Sequence, residues 1–269
     1  MFAKRVLTAA VLVPLLVAVT LYGKGWPFVL LTGGAAALCA AEYFRMFFPA
    51  SRDRAVGVAV TVLAYAAGAL LPGPAVAAVL SLCVGLAAFR FLPGEDPPEA
   101  KTRSAGLAAL GVVYVGGFLS AWPRVIRTPG GEHWVLFGII AVAAGDTAAY
   151  FTGRALGKRK LAPAVSPNKT VEGAVGGLVA SVLCGAAYAA LALPFVPTGY
   201  TALAAAVVGV AEQGGDLFES LLKRAAGVKD SGTLLPGHGG MFDRADGVIG
   251  AGPALYLLAL LAPFSGRGA

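Results

Sequence analysis

Nine apolar runs, each about as long as a membrane is thick, follow one another along the chain and constrain its fold more than any other feature. A helix needs roughly 20 largely apolar residues to cross the hydrocarbon core, with a working range near 17–25. Runs of this kind fall at 6–22, 25–41, 55–71, 74–92, 105–121, 134–151, 174–194, 201–222 and 247–264. In lipid only helices and closed barrels satisfy their own backbone, and these runs have helical length. The expected fold is therefore an all-α polytopic membrane protein of about nine transmembrane helices. Of 269 residues, 58% are hydrophobic and 13% charged, too little charge to cover a soluble domain of this size.

Lys4-Arg5 followed by Val6 to Tyr22 has the order of a signal peptide. Its apolar stretch is longer than a usual signal core and no A-x-A site follows, so it reads as an uncleaved first span. Gly34, Gly68, Gly85, Gly116 and Gly177 are positions where small residues would let helices approach. Pro14 and Pro253 are tolerable kinks inside a bundle. No internal repeat is evident. The chain divides into an N-terminal region, 1–122, of about five spans and a C-terminal region, 123–269, that carries the polar motifs.

Charge placement tests the span count. With the N-terminus in the cytoplasm and nine alternating spans, 17 of the 21 lysines and arginines fall on the cytoplasmic side and four outside. This is the asymmetry that orients membrane proteins, and it points to a multi-pass protein of the cell's inner (plasma) membrane. The net charge of +7 is thereby assigned to topology and anionic headgroups. No aromatic-interleaved basic patch suggests nucleic acid. Cys39, Cys83 and Cys184 all sit in apolar runs without metal-ligand spacing, and read as small apolar fillers.

Polar residues inside apolar runs mark function by default. The eighth run carries Glu212, Asp216, Glu219 and Lys223, and spacings of 4, 3 and 4 place them on one helical face. That stripe should face a hydrated cavity opening to the cytoplasmic side. The bland reading makes 212–223 an amphipathic helix outside the membrane, although 201–211 alone is too short to span. In the sixth run Asp146, Tyr150 and Arg154 form a second stripe. Asp146 there serves either as a partner for Arg154 or a neighbouring helix, or as a substrate contact.

Two loops follow these stripes. In Ser166-Pro167-Asn168-Lys169-Thr170-Val171-Glu172-Gly173, Ser166 and Pro167 suit an N-cap and first helical position. Lys169 and Thr170 would then lie in a first turn whose free amides favour phosphate. The segment 223–246 is denser, with Lys223, Arg224, Lys229, Asp230, Gly239, Gly240, Asp243, Arg244 and Asp246. It supplies cations for phosphate, carboxylates for a hard metal ion, and glycines that let backbone amides approach an anion. His238 either donates to a phosphate or structures the turn.

The pattern Ser220-Leu-Leu-Lys223-Arg224, four residues, Lys229-Asp230, then Pro236-Gly-His238-Gly239-Gly240-Met-Phe-Asp243-Arg244-Ala-Asp246 resembles the C-terminal signature of the phosphatidate cytidylyltransferases. Gly145-Asp146, Gly153-Arg154 and 166–173 resemble that family too, in register from about 145 to 250. Ala245 and Gly247 depart from its usual pattern without removing a charge.

The resemblance implies transfer of a cytidylyl group from CTP to phosphatidic acid, giving CDP-diacylglycerol and pyrophosphate. It implies Mg²⁺ held by Asp216 and Asp243, K⁺ as a candidate second cation, and a homodimer. Lys223, Arg224, Lys229 and Arg244 are carried over as catalytic residues beside those two carboxylates. Asp146, Ser166, Lys169, Thr170, Ser220, Asp230, His238, Gly239, Gly240 and Asp246 are the expected substrate-binding set. Two other readings stand beside this one: a CTP-dependent enzyme, cytidylyltransferase or kinase, acting on an ether or polyprenyl lipid, and a cation-coupled transporter using Asp146, Glu212 and Asp216. The latter has no use for the 223–246 loop.

Overall fold

The computed structural model describes residues 14–23, 25–232 and 239–263. Each apolar run from residue 25 onward lies in a helix: α1 (Trp26–Phe47), α2 (Ser51–Leu70), α3 (Gly73–Phe89), α4 (Pro98–Gly111), α6 (Gly131–Leu156), α7 (Val171–Ala192), α8 (Thr198–Ala225) and α9 (Phe242–Leu260). Between α4 and α6 lie a π-helical segment, Val112–Gly117, and the short α5 (Ala121–Val125). Of the run 6–22, the described residues 14–22 are helical and the rest lies outside the described set.

Five helical stretches are long and apolar enough to cross a membrane: α1, α2, the run Pro98–Val125, α6 and α7. The 17-residue α3 is apolar but shorter. This is a predominantly helical chain with a membrane protein's surface, in which leucines such as Leu30, Leu82, Leu183 and Leu203 point outward. In water such a surface would be an aggregation hazard, whereas in lipid it is solvated.

Prolines and glycines punctuate the elements as their backbone limits dictate. Pro74 and Pro98 enter α3 and α4 within the first two positions, where a missing N–H is harmless. Gly130, at φ 65°, turns the chain into α6 through a left-handed conformation that a side chain would disfavour. The π-helical segment brings Tyr114 inward, and its hydroxyl donates to the Gly215 carbonyl at 3.0 Å.

The C-terminal helices form a packed series, α6 on α7, α7 on α8 and α8 on α9, with α9 also resting on α1, α5 and α6. Close approach is specified by small residues. A Cβ on Gly215 would fall 2.8 Å from the Gly250 Cα and 2.7 Å from the Asp246 carbonyl oxygen, so α8 and α9 meet backbone to backbone. Among the five glycines expected at helix contacts, Gly68, Gly116 and Gly177 have neighbours that exclude a Cβ. Gly34 has nothing within 4 Å, and Gly85 meets only the ring of Phe89 on its own helix. Those two are open surface positions, because periodicity locates a helix but not its neighbour.

One segment corrects the all-helical expectation. Lys160–Ala162 and Ser166–Thr170 are strands β1 and β2 of an antiparallel hairpin. Ser166-Pro167 is therefore not a helix start. A proline biases the residue before it toward extended backbone, and its fixed φ and missing N–H are tolerated at an edge strand. The helix begins four residues later than expected: Thr170 is the N-cap of α7, its Oγ1 accepting from the Gly173 N–H at 3.1 Å.

Candidate active site

α8 runs without a break from Thr198 to Ala225, so its apolar first half and polar second half share one rigid axis. The stripe expected from spacing exists. Glu212 is 1% exposed and Glu219 0%, with Asp216 half-buried between them. Buried carboxylates need protons, counter-charges or a metal ion, and here they gather in two groups. One oxygen from each of Asp146, Glu212 and Asp216 lies within 4.8 Å of the others, and the same holds for Asp216, Glu219 and Asp246. Asp216 belongs to both groups. Its neighbours come from α6 and α9, so the site exists only where three helices meet.

The hairpin closes one side. Lys169, on β2, forms an ion pair with Asp216. A cavity of about 440 Å³ opens beside this pair, lined by Asp146, Tyr150, Arg154, Lys169, Thr170, Glu212 and Asp216 among others. The hairpin is held in register from two sides. Glu172 Oε2 accepts from the backbone N–H groups of Lys158 at 3.0 Å and Arg159 at 3.2 Å. Arg224 Nε donates to the Val165 carbonyl at 3.3 Å, tying the far end of α8 to the hairpin turn.

A second polar centre lies one helical turn beyond. Lys223 Nζ is 2.7 Å from both Glu219 Oε2 and Asp243 Oδ1. Asp243 also accepts from the backbone N–H of Gly240 at 2.8 Å, and from the N–H and hydroxyl of Ser231 at 3.0 and 2.9 Å. Asp243 was expected to share a metal ion with Asp216. The structure puts it in neither carboxylate group: its oxygens face a lysine and three other donors, and Asp246 is the α9 carboxylate beside Asp216. The two differ by position along α9: Asp243, in the first turn, meets Ser231, Gly240 and Lys223, while Asp246, a turn further on, lies beside Asp216 and Glu219.

The remaining expected residues divide clearly. Asp146, Lys169 and Thr170 line the cavity, whereas Ser166 sits farther along β2 and is not among its lining residues. Ser220 is half-buried one turn after Asp216, while Arg224, Lys229, Asp230 and Arg244 are exposed. Gly240 is buried and Gly239 adopts φ 79°; both flank Asp243. His238 lies outside the described residues. The three cysteines are free thiols, with Cys39 and Cys83 buried and Cys184 exposed.

Sequence reasoning missed Glu42. It lies one residue beyond an apolar run and reads there as an ordinary flank, yet in α1 it is 4% exposed and bonded to the 231–242 region. Arg45, one helical turn on, makes Glu42 look in sequence like half of an exposed ion pair, yet Arg45 is exposed while Glu42 is buried. Asp146, Glu212 and Asp216 were set together from sequence only as a transporter's cation pathway, whereas Glu219 was legible as part of the stripe but not as a partner of Asp246.

The donor set fits a hard divalent cation. It is all carboxylate oxygen, the preferred chemistry for Mg²⁺ or Ca²⁺, and buried Glu212 Oε2 receives no donor among the described residues. Cations stand ready beside it for an anionic group.

The sequence matches the cytidylyltransferase family over residues 3–262. Similar proteins include a phosphatidate cytidylyltransferase of Brucella suis biovar 1, 42% identical over 176 residues, covering 65% of this chain and 61% of that protein. One from Bacillus subtilis is 39% identical over 157 residues, 58% of each chain. One from Thermotoga maritima is 36% identical over 176 residues, 63% of this chain and 64% of its own length. The matched segment thus spans about three fifths of the length of these relatives. A match over nearly the whole sequence, with carboxylates and cations gathered at one end of an apolar bundle, makes this chain a member of the cytidylyltransferase family.

Proposed function

We propose that this chain transfers the cytidylyl group of CTP to phosphatidic acid, releasing pyrophosphate and leaving CDP-diacylglycerol in the membrane. The observation that carries this reading is the position of Asp216, flanked by four other helical carboxylates and ion-paired to Lys169, at the edge of an open cavity. The names of its relatives support the same reaction.

The chemistry needs no general base. A phosphate monoester is already anionic near neutral pH, its second pKa being about 6. Its oxygen attacks the α-phosphorus of CTP, the bond to the β-phosphate oxygen breaks, and pyrophosphate departs with the electron pair. What must be overcome is repulsion between two polyanions, together with their alignment. Asp216, with Asp146 and Glu212 on one side or Glu219 and Asp246 on the other, would hold Mg²⁺. When bound, that ion supplies positive charge to triphosphate oxygens.

The protein's own residues do the rest. Lys169 contacts the phosphates from the hairpin, Lys223 contributes charge held in place by Glu219 and Asp243, and Lys229 and Arg244 reach from the exposed rim. Ser220 and the turn at Gly239 and Gly240 orient the nucleotide.

Topology fits this use. Nine spans with a cytoplasmic N-terminus bring both polar loops to the cytoplasmic face of the inner membrane, where CTP is dissolved, while the cavity wall of α8 leads toward the lipid. A homodimer and a K⁺ ion as second cation complete the reading.

The test is incubation of purified protein with labelled CTP and a panel of lipid phosphates, with Mg²⁺ present or removed by chelator. Formation of CDP-lipid and pyrophosphate from phosphatidic acid only when Mg²⁺ is present supports the assignment. CDP with a newly phosphorylated lipid alcohol makes the enzyme a kinase. Ion uptake into liposomes without CTP consumption makes it a transporter.

A further inference from the structure

Glu42 is a buried carboxylate on α1, almost two hundred residues from its partners in sequence. Its Oε2 accepts from the Phe242 N–H at 2.8 Å, and its Oε1 from the Met241 N–H at 3.0 Å. These are unsatisfied amides at the start of α9, where a helix leaves donors free and its dipole favours negative charge. Met241 itself makes no side-chain cap. The carboxylate of a distant helix therefore caps α9.

The same carboxylate reaches the other end of this segment. Ser231 Oγ lies 3.0 Å from Glu42 Oε2 and 2.9 Å from Asp243 Oδ2, so one hydroxyl proton is shared between the two acids. The surrounding residues have made room for it. A Cβ on Gly240 would fall 2.3 Å from Glu42 Oε2, and one on Gly232 would fall 2.6 Å from Glu42 Oε1. Both glycines are small because Glu42 occupies the space. Among the described residues no ion pair involves Glu42, so its charge is balanced by backbone amides and the hydroxyl alone.

We propose that Glu42 is a positioning residue for the transfer reaction: it fixes Ser231 and the first turn of α9 so that Asp243 holds Lys223 toward the substrate phosphates. It acts through Asp243 and does not itself touch substrate. The chain of contacts is Glu42 to Ser231 and the 241–242 amides, these to Asp243, and Asp243 to Lys223 at 2.7 Å. The assignment rests on the cytidylyl-transfer reading for its kinetic consequence, but not for its structural one.

The experiment compares wild type with Glu42→Gln, Glu42→Asp and Glu42→Ala, in steady-state kinetics and in hydrogen exchange followed by mass spectrometry. Gln keeps the shape while replacing one acceptor by a donor that opposes the amides. In the Gln variant kcat falls about tenfold or more while KM for the lipid stays within about twofold. Asp, which keeps the charge on a shorter arm, recovers part of that loss. Amides of the peptide spanning 239–246 exchange faster in Gln and Ala, and those of α6 and α7 are unchanged.

A Gln variant with kcat within about twofold of wild type overturns the proposal, and so does unchanged exchange at 239–246. Faster exchange throughout the protein, with activity lost in proportion to folded material, makes Glu42 a general stability residue and also overturns it. If wild type forms no CDP-lipid, the reaction assignment fails by itself, and the exchange comparison still decides whether Glu42 holds α9.

Discussion

Lys169 on β2 and Asp216 on α8 are ion-paired across the edge of the cavity they both line. The pair joins a hairpin carrying a cation to the helix carrying the acidic stripe. Asp216 is also the residue shared by the two carboxylate groups. The lysine places positive charge beside the carboxylates where a metal ion would also bring it, and substrate phosphates would give that lysine another partner.

Asp216→Ala should lower CDP-lipid formation at least a hundredfold, roughly the scale of removing a group that acts in the transition state. Membrane insertion and the melting temperature in detergent should remain close to wild type, because Asp216 is half-buried and its loss relieves repulsion among acids. A turnover assay on equal amounts of folded protein checks this. An active Asp216→Ala protein would remove the proposed metal role.

Lys169→Met should separate metal binding from phosphate binding. Its side chain is 28% exposed and that of Asp216 25%, so the pair is screened and modest, worth about 0.2–1 kcal/mol. Without the competing ammonium, Mn²⁺ used as a spectroscopic probe should bind up to about fivefold more tightly in the absence of CTP. Turnover should nevertheless fall, since the phosphates lose a cation. Weaker Mn²⁺ binding in this variant would mean that Lys169 does not compete for the site.

Gly215→Val should pry α8 from α9. The added carbons have no space against the Gly250 Cα and the Asp246 carbonyl oxygen, and overpacking of this kind costs about 1–3 kcal/mol. Thermal unfolding in detergent measures that cost. Activity should fall further than stability does, because the shift carries Asp246 away from Asp216. A variant as stable and as active as wild type would show that the helices do not meet at this point.

Thr170→Val removes the N-cap of α7 while keeping the side chain's size, and Thr170→Ser retains the hydroxyl. The Val change should destabilise by about 1 kcal/mol, the usual size of a lost cap, and Ser should recover most of it. Turnover should follow the same order, since Thr170 lines the cavity directly after Lys169. Equal melting temperatures for Val and Ser would discount the cap.

Much of this site was legible in one dimension. The 4, 3, 4 spacing of Glu212, Asp216, Glu219 and Lys223 has only one helical meaning, and the structure has those residues on one face, Glu219 and Lys223 in contact at 2.7 Å. Runs of apolar residues located the helices for the same reason: helical periodicity and span length are local properties. Locality also explains the error at 166–170. Ser-Pro suits a helix start and an edge strand alike, and only pairing with 160–162 decides between them.

Glu42 marks where local reasoning stops. Nothing within ten residues of it in sequence explains a buried carboxylate, because its donors arrive from 231, 241 and 242. The exchange of Asp243 for Asp246 beside Asp216 is of the same kind. Sequence by itself determined an apolar helical bundle, the acidic stripe and the cationic loops, since each follows from composition and short-range spacing. Tertiary structure alone decided which carboxylates converge, because that depends on two helices touching at Gly215 and Gly250 and on a third, 200 residues away in the chain, holding the start of α9.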